Sequence, residues 1–246
     1  MNLFIIDNSG NKISKDLNEF IDFWVNRYYD YTSISDSVYF EIRNCFREER
    51  DLKKAYQLLG AWKTGALNQD KRDRLAFKCN SPNCKGVYYF TAYWNPGTQS
   101  AYEIWISLHE NFSEHTNLIK EDKIEEFLEK ISNLQYKGAK SPKTKFGYIY
   151  AITYLHFINN QYPILDKFVF ISLKYIYSSN APILPYEPKT GINTPKDYLN
   201  TFVNLFQRFI NGLSHEKLRE CDKALWAFGH YISHKRKVKK KPCCRI

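Results

Sequence analysis

The 246-residue sequence has no apolar run long enough to cross a membrane. A membrane-spanning helix needs about 20 consecutive apolar residues. The longest apolar segment, residues 146–158, is shorter and is interrupted by Gly147, Thr153 and His156. The N-terminus also lacks the basic lead and the small-residue cleavage site of a secretory signal. We therefore expect a cytoplasmic protein that has no membrane partner.

Cysteine is sparse and scattered. Six cysteines in a chain of this length do not form the disulfide framework of a small secreted protein, so reduced thiols are expected. Cys79 and Cys84 have the spacing of half a zinc knuckle, but no second pair of ligands follows them. The sequence predicts no metal and no cofactor, and a zinc site at these two cysteines stays open as the alternative.

Acidic residues are absent from 131 to 165, where four lysines fill one connecting segment: Lys137, Lys140, Lys143 and Lys145. Such a cluster suits contacts with phosphate groups, although an ordinary solvated loop has the same composition. The formal net charge is +10, and residues 234–246 contain seven Lys or Arg and no acid, which leaves +3 on the rest of the chain. We therefore expect a polyanionic partner to bind at these local clusters of lysine and arginine.

Apolar residues recur at helical spacing along most of the chain. Ser14 is the expected N-cap of a first helix, and Thr194, Pro195 and Asp197 form a helix start signal further along. Two strands are expected, at 85–94 and 100–108, joined by a turn at 95–99. The sequence thus predicts a mostly α protein with a small β-hairpin insertion and a basic C-terminal tail.

Asp166 lies within the most apolar stretch of the chain, residues 146–176. Pro163 cannot continue a helix, so we expect one helix from about Pro142 to Ile158 and a second that begins close to Ile164. Asp166 would then lie in the first turn of the second helix. A carboxylate there can cap free amides and is favoured by the helix dipole, and it can also be catalytic.

Four further polar or aromatic residues have structural explanations. His156 is expected to be a hydrogen-bonded core histidine instead of a catalyst. Arg219 and Asp222, three residues apart on one helix, are expected to form a surface ion pair. Trp226 is expected to be a core ring.

A lysine-rich segment, an apolar helix, a short turn and the sequence YPILDKFV at 162–169 follow one another in the chain. This order resembles the helix-hairpin-helix DNA glycosylase superfamily, and within it the 8-oxoguanine DNA glycosylase-like branch. The resemblance covers about residues 120–232 and implies a helical bundle in which a hairpin grips the DNA backbone. Gly138 is the one glycine kept from the hairpin pattern of the family.

The resemblance also implies roles for individual residues. Asp166 matches the catalytic aspartate, and Lys145, with Lys143 as the second choice, matches the lysine of members that also cleave the strand. An ionised carboxylate stabilises the oxocarbenium-like sugar that forms when the base leaves, whereas a lysine amine can form a Schiff base. The implied DNA-binding residues are Lys137, Gly138, Lys140 and Lys143.

Two function classes remain open. The first is a DNA N-glycosylase, with or without AP lyase activity, that excises a damaged or modified purine such as 8-oxoguanine. The second is a non-catalytic nucleic-acid-binding module of the same fold in a repair or defence system. In both cases we expect a monomer whose partner is double-stranded DNA, associated with the nucleoid in a bacterium or archaeon. The expected regions are 1–75 (helical), 76–118 (β-containing insertion), 119–233 (glycosylase-like) and 234–246 (disordered basic tail).

Overall fold

A computed structural model describes residues 1–7, 9–29, 36–63, 67–68, 74–78, 87–91, 96–136, 143–178, 191–214 and 217–239. Within these ranges the chain is mostly helical, as the sequence predicted. It divides into two compact units, the first made of Met1–Ser33 and Pro163–Ile246 and the second of Ile34–Tyr162. The first unit therefore joins the two ends of the chain.

The described elements follow one another in this order. The strands are β1 Phe4–Ile6, β2 Lys12–Ser14, β3 Leu67–Asn68, β4 Arg74–Lys78, β5 Val87–Thr91, β6 Gln135–Tyr136 and β7 Thr144–Lys145. The helices are α1 Leu17–Tyr28, α2 Asp36–Arg47, α3 Leu52–Lys63, α4 Pro96–Ser107, α5 Phe112–Lys120, α6 Ile124–Ser132, α7 Tyr148–Ile158, α8 Lys167–Tyr177, α9 Pro195–Asp197, α10 Asn204–Ile210 and α11 Leu218–Lys239. A 3-10 turn, Leu108–Asn111, links α4 to α5, and a π-helical turn, Tyr198–Val203, links α9 to α10.

The first unit opens with an antiparallel pair, β1 and β2, in which Phe4 lies opposite Ser14. The predicted cap at Ser14 was wrong, because Ser14 belongs to β2 and the N-cap of α1 is Asp16. The Asp16 side chain accepts from the backbone N–H of Glu19, and the Glu19 carboxylate accepts from the Asp16 N–H. This reciprocal capping box fixes the start of α1 two residues later than predicted.

The core of the first unit forms where α1, α8 and α11 pack together. Phe20 and Trp24 of α1 are fully buried, and their rings lie 5.1 Å and 5.3 Å from the ring of Phe228 on α11. The buried indole N–H of Trp24 donates to the Phe4 carbonyl at 3.0 Å. This bond ties β1 to α1, and it satisfies a polar group that burial would otherwise leave unpaired.

The second unit contains a three-stranded antiparallel sheet in the order β3-β5-β4. Its β5 strand falls inside the predicted strand at 85–94, but its hairpin partner is β4. The strand predicted at 100–108 was wrong, because α4 occupies Pro96–Ser107. Pro96 is the first helical residue of α4, a position that proline favours, and fully buried Trp105 lies three residues before buried Leu108, a helical spacing.

The segment between α6 and α7 begins and ends in a short antiparallel ladder, with Gln135 opposite Lys145. The expected helix start at Pro142 was wrong, because α7 begins at Tyr148. Gly147 is its N-cap with φ +86°, a left-handed conformation that glycine adopts without strain. The Phe146 N–H donates to the Leu134 carbonyl at 2.7 Å and the Gly147 N–H to the Ser132 carbonyl at 2.9 Å, so backbone pairing continues to the helix start.

The last helix, α11, continues to Lys239 and so enters the segment 234–246 for which a disordered tail was expected. Lysine and arginine are good helix formers, and the first proline after α11 begins is Pro242. Residues 240–246 lie outside the described residues. Across the ranges that the structure describes, every helix is too short or too polar to span a bilayer.

Candidate functional site

Asp166 is the N-cap of α8. Its backbone is extended, with φ −118° and ψ 141°, and its Oδ1 accepts a hydrogen bond from the Phe168 N–H at 2.7 Å. The three residues before it, Pro163–Leu165, are buried, whereas Asp166 itself is partly exposed. The carboxylate is therefore held at a helix start and is still accessible from solvent. The cap that the sequence suggested as a structural role for Asp166 is confirmed.

Three aromatic rings pack together beside the start of α8. The ring of Phe168 stacks on His230 of α11 with centroids 3.5 Å apart and an interplanar angle of 30°, and Trp226 lies 3.9 Å from His230. All three side chains are partly exposed, so the expectation that Trp226 is a core ring was wrong. The i, i+4 spacing of Trp226 and His230 was the sequence signal for this cluster. Flat, partly exposed rings of this kind are suited to stacking with a nucleobase.

Charged groups on α11 are engaged with neighbours in the same unit. Arg219 forms an ion pair with Asp222 at 2.5 Å, and their side chains are only 13% and 15% exposed, so the pair is more buried than the predicted surface pair. The ammonium of buried Lys223 donates to the Tyr29 hydroxyl at 3.0 Å and lies 5.5 Å from the centre of the Tyr28 ring. Contacts with aromatic faces stabilise these cations where they are screened from water.

The lysines that the resemblance singles out belong to the second unit, whereas Asp166 belongs to the first. Lys143 and Lys145 are exposed, and the Lys145 ammonium donates to Asn133 Oδ1 at 2.8 Å. Neither amine is desolvated as an attacking amine would be. Lys137, Gly138 and Lys140, the other expected DNA contacts, lie outside the described residues.

His156 is a buried, hydrogen-bonded histidine, as the sequence predicted. Its Nδ1 lies 2.9 Å from the Tyr162 carbonyl and its Nε2 lies 2.7 Å from the Tyr39 hydroxyl. Because a carbonyl can only accept, Nδ1 carries a proton, and in the neutral ring Nε2 accepts from Tyr39. Both ring nitrogens are thus occupied by structural partners.

A second buried hydrogen-bond network in the same unit was not predicted from the sequence. The hydroxyls of Tyr56 and Tyr154 are hydrogen-bonded, and Nδ1 of His115 lies 3.1 Å from the Tyr154 hydroxyl. Burial lowers the pKa of His115 to about 4 and raises the pKa of Tyr154. All three are buried, so this network supports packing and is closed to a substrate.

Ligands for a metal ion are not assembled in the part of the chain that the structure covers: no group of three or more His, Cys, Asp or Glu side chains there could hold one. Cys45 and Cys221 are buried free thiols, and burial raises the pKa of both, that of Cys221 to about 12. Such thiols are poor nucleophiles and poor ligands because they stay protonated. Cys79 and Cys84 lie outside the described ranges.

Comparisons of the chain with known protein families, with curated proteins and with solved structures find no match.

Proposed function

We propose that the chain is a DNA N-glycosylase that excises a damaged or modified purine, such as 8-oxoguanine, with Asp166 as its catalytic carboxylate. The observation that carries the proposal is the state of this side chain. It is held by the Phe168 amide at the start of α8 and is partly exposed, so a sugar can approach it. A hydrogen bond from an amide and a helix N-terminus both favour the ionised carboxylate.

The proposed chemistry needs a negative charge beside the anomeric carbon. Cleavage of the N-glycosidic bond passes through an oxocarbenium-like sugar. An ionised carboxylate either stabilises this cation or activates the water that attacks it. The base must first be rotated out of the duplex and held. Partly exposed aromatic rings beside the Asp166 cap support this step. Phe168 follows Asp166 by two residues, and Trp226 and His230 of α11 pack against the Phe168 ring.

We assign DNA backbone binding to a helix-hairpin-helix element whose described parts are α6, β6, β7 and α7. Gly147, the N-cap of α7, has no side chain, and the first amides of a helix suit a phosphate oxygen. Lys143 and Lys145 are exposed beside it. AP lyase activity is the part of the proposal with less support, because both amines are solvated. Borohydride trapping on a duplex with an abasic site tests it, since only a Schiff base yields a covalent adduct.

The alternative is a DNA-binding module without catalysis. One observation favours it: the contact with the Phe168 amide explains a carboxylate at this position without any chemistry. The two functions differ in what happens to a bound lesion. The module binds a duplex and leaves its glycosidic bonds intact, whereas the enzyme releases the base.

Asp166→Asn tests the proposal, because asparagine also caps helices and removes only the charge. We expect the variant to fold and to bind a duplex with 8-oxoguanine opposite cytosine at least as tightly as the wild type. Single-turnover base release should fall on the order of a hundredfold. The matched control is Asp16→Asn, which changes the N-cap aspartate of α1 in the same way.

Two outcomes contradict the catalytic assignment. An Asp166→Asn protein that is folded and excises at the wild-type rate excludes Asp166. A wild-type protein that binds duplexes tightly, but releases no base from a panel of oxidised, alkylated and deaminated purines, supports the module.

A further inference from the structure

The Pro163 carbonyl is held by a fully buried tyrosine. The hydroxyl of Tyr198 donates to this carbonyl at 2.7 Å, and the side chain of Tyr198 has no exposed surface. Its ring stacks on Phe202 one turn later, with centroids 5.9 Å apart and an interplanar angle of 27°. The hydroxyl therefore has little freedom to move away from the carbonyl.

The backbone of Tyr198 is itself fixed. Thr194 and Asp197 form a reciprocal capping box at the start of α9, and the Tyr198 N–H donates to the Thr194 carbonyl at 3.1 Å. Tyr198 begins the π-helical turn that follows α9. A π-helical turn inside an α-helical segment is rare and is frequent at functional sites.

The held carbonyl lies three residues before Asp166 in a buried segment that is neither helix nor strand. Pro163 has no N–H, and Ile164 and Leu165 are 8% and 6% exposed, so water contributes little to holding this stretch. At its other end, Asp166 is anchored by α8: its Oδ1 accepts from Phe168 and its carbonyl from the Phe170 N–H at 3.0 Å. The Tyr198 hydroxyl is thus a polar contact that holds the entry side of the segment.

We infer that Tyr198 is a positioning residue for Asp166: its hydroxyl holds the Pro163 carbonyl and so sets where the carboxylate stands at the start of α8. The inference rests on the proposed function, because the position of Asp166 matters for a rate only where Asp166 acts on the sugar. A displacement of about 1 Å at a reacting group can cost on the order of a hundredfold in rate.

Tyr198→Phe removes the hydroxyl and keeps the ring. With saturating enzyme and a duplex carrying 8-oxoguanine opposite cytosine, we expect single-turnover base release to fall about tenfold, with duplex affinity unchanged. The matched control is Tyr56→Phe, which also removes a buried, hydrogen-bonded tyrosine hydroxyl but in the second unit. It should lower the melting temperature and leave the rate per folded molecule unchanged.

Combining Tyr198→Phe with Asp166→Asn separates positioning from a general loss of stability. If Tyr198 acts through the carboxylate, the double variant releases base at the rate of Asp166→Asn alone, because no charge is left to position. An equal fold-loss in both backgrounds overturns the inference, and so does a wild-type rate in Tyr198→Phe.

Hydrogen exchange of the Phe168 amide gives a readout that needs no activity. This amide donates to Asp166 Oδ1, so a loosened Asp166 should speed its exchange in Tyr198→Phe and leave it unchanged in Tyr56→Phe. Unchanged exchange in Tyr198→Phe overturns the inference. If the wild type releases no base, the proposed function fails, and the exchange rates still decide whether Tyr198 holds Asp166.

Discussion

His115 is a buried histidine that the fold keeps neutral. It is 2% exposed, its Nδ1 lies beside the Tyr154 hydroxyl, and burial, followed by the nearby Lys130 ammonium, lowers its pKa from 6.5 to about 4. Glu114 opposes this shift. A charged imidazolium in this position would lack water and would sit among aromatic rings, including Phe127 at 6.0 Å.

We predict that His115 makes the protein less stable as the pH falls from about 6.5 to about 4. In this window the unfolded chain binds a proton at residue 115 and the folded chain does not, so protonation favours unfolding. The free energy of unfolding should fall by up to about 3 kcal/mol, at about 1.4 kcal/mol for each pKa unit. His115→Gln should flatten this part of the profile in urea titrations at pH 7, 6, 5 and 4.

Exposed His109→Gln is the control for this prediction, because it removes a histidine without removing a buried one. Its profile should follow that of the wild type. A His115→Gln profile with the same slope as the wild type would contradict the assigned pKa.

At the scale of elements, α8 and α11 approach so closely that one position must be glycine. A Cβ added at Gly229 of α11 would lie 2.2 Å from the Phe168 carbonyl oxygen and 2.8 Å from Ser172 Oγ. Ser172 Oγ itself lies 2.5 Å from the Leu225 carbonyl, so it bridges the two helices. The approach brings the aromatic ring of Phe168 against α11, beside the cap of Asp166.

Gly229→Ala should destabilise the protein, although glycine in a helix interior is normally about 1 kcal/mol worse than alanine. The added methyl group meets backbone, which cannot rotate away, and overpacking of this kind typically costs about 1–3 kcal/mol. We expect a lower melting temperature and a lower urea midpoint with an unchanged m-value. A variant as stable as the wild type, or more stable, would show that α8 and α11 are further apart.

At the scale of the whole molecule, charge is the property most relevant to the proposed partner. The formal net charge is +10, and removal of residues 235–246 lowers it to +3, because that segment has seven Lys or Arg and no acid. Lys143 and Lys145 contribute exposed ammonium groups outside this segment. Counterion release makes binding to DNA by such groups strongly dependent on salt.

We predict that the full chain binds a random-sequence duplex with a steep salt dependence and that a chain ending at residue 234 binds more weakly to every sequence. Each phosphate that the shorter chain no longer neutralises should reduce the log-log slope of affinity against salt by about 0.9. Fluorescence anisotropy between about 50 and 200 mM salt measures both slopes. If the truncated chain has no measurable affinity for DNA at low salt, the assignment of the hairpin lysines to the DNA-binding surface is wrong.

The sequence by itself determined the elements whose signals are local. Thr194, Pro195 and Asp197 predicted a helix start that the structure confirms. Pro163 correctly predicted a break, but the expected start close to Ile164 was wrong, because α8 begins at Lys167 and Asp166 is its N-cap and not a residue of its first turn. Caps and prolines act through the backbone of the next few residues, so their effect can be predicted without knowledge of the fold. The proposed catalytic role of Asp166 came from the order of such features and stays a prediction.

Only the tertiary structure decided what depends on distant partners. Residues 100–107, for which a strand was expected, are helical. Trp105 is buried there against Phe146 and Tyr154, and these contacts cannot be predicted from the local sequence. Three further properties depend on residues that are far apart in the chain. They are the low pKa of His115, the need for glycine at 229 and the hydrogen bond from Tyr198 to Pro163. Burial and close approach are set by whatever packs from elsewhere, so a linear pattern does not encode them.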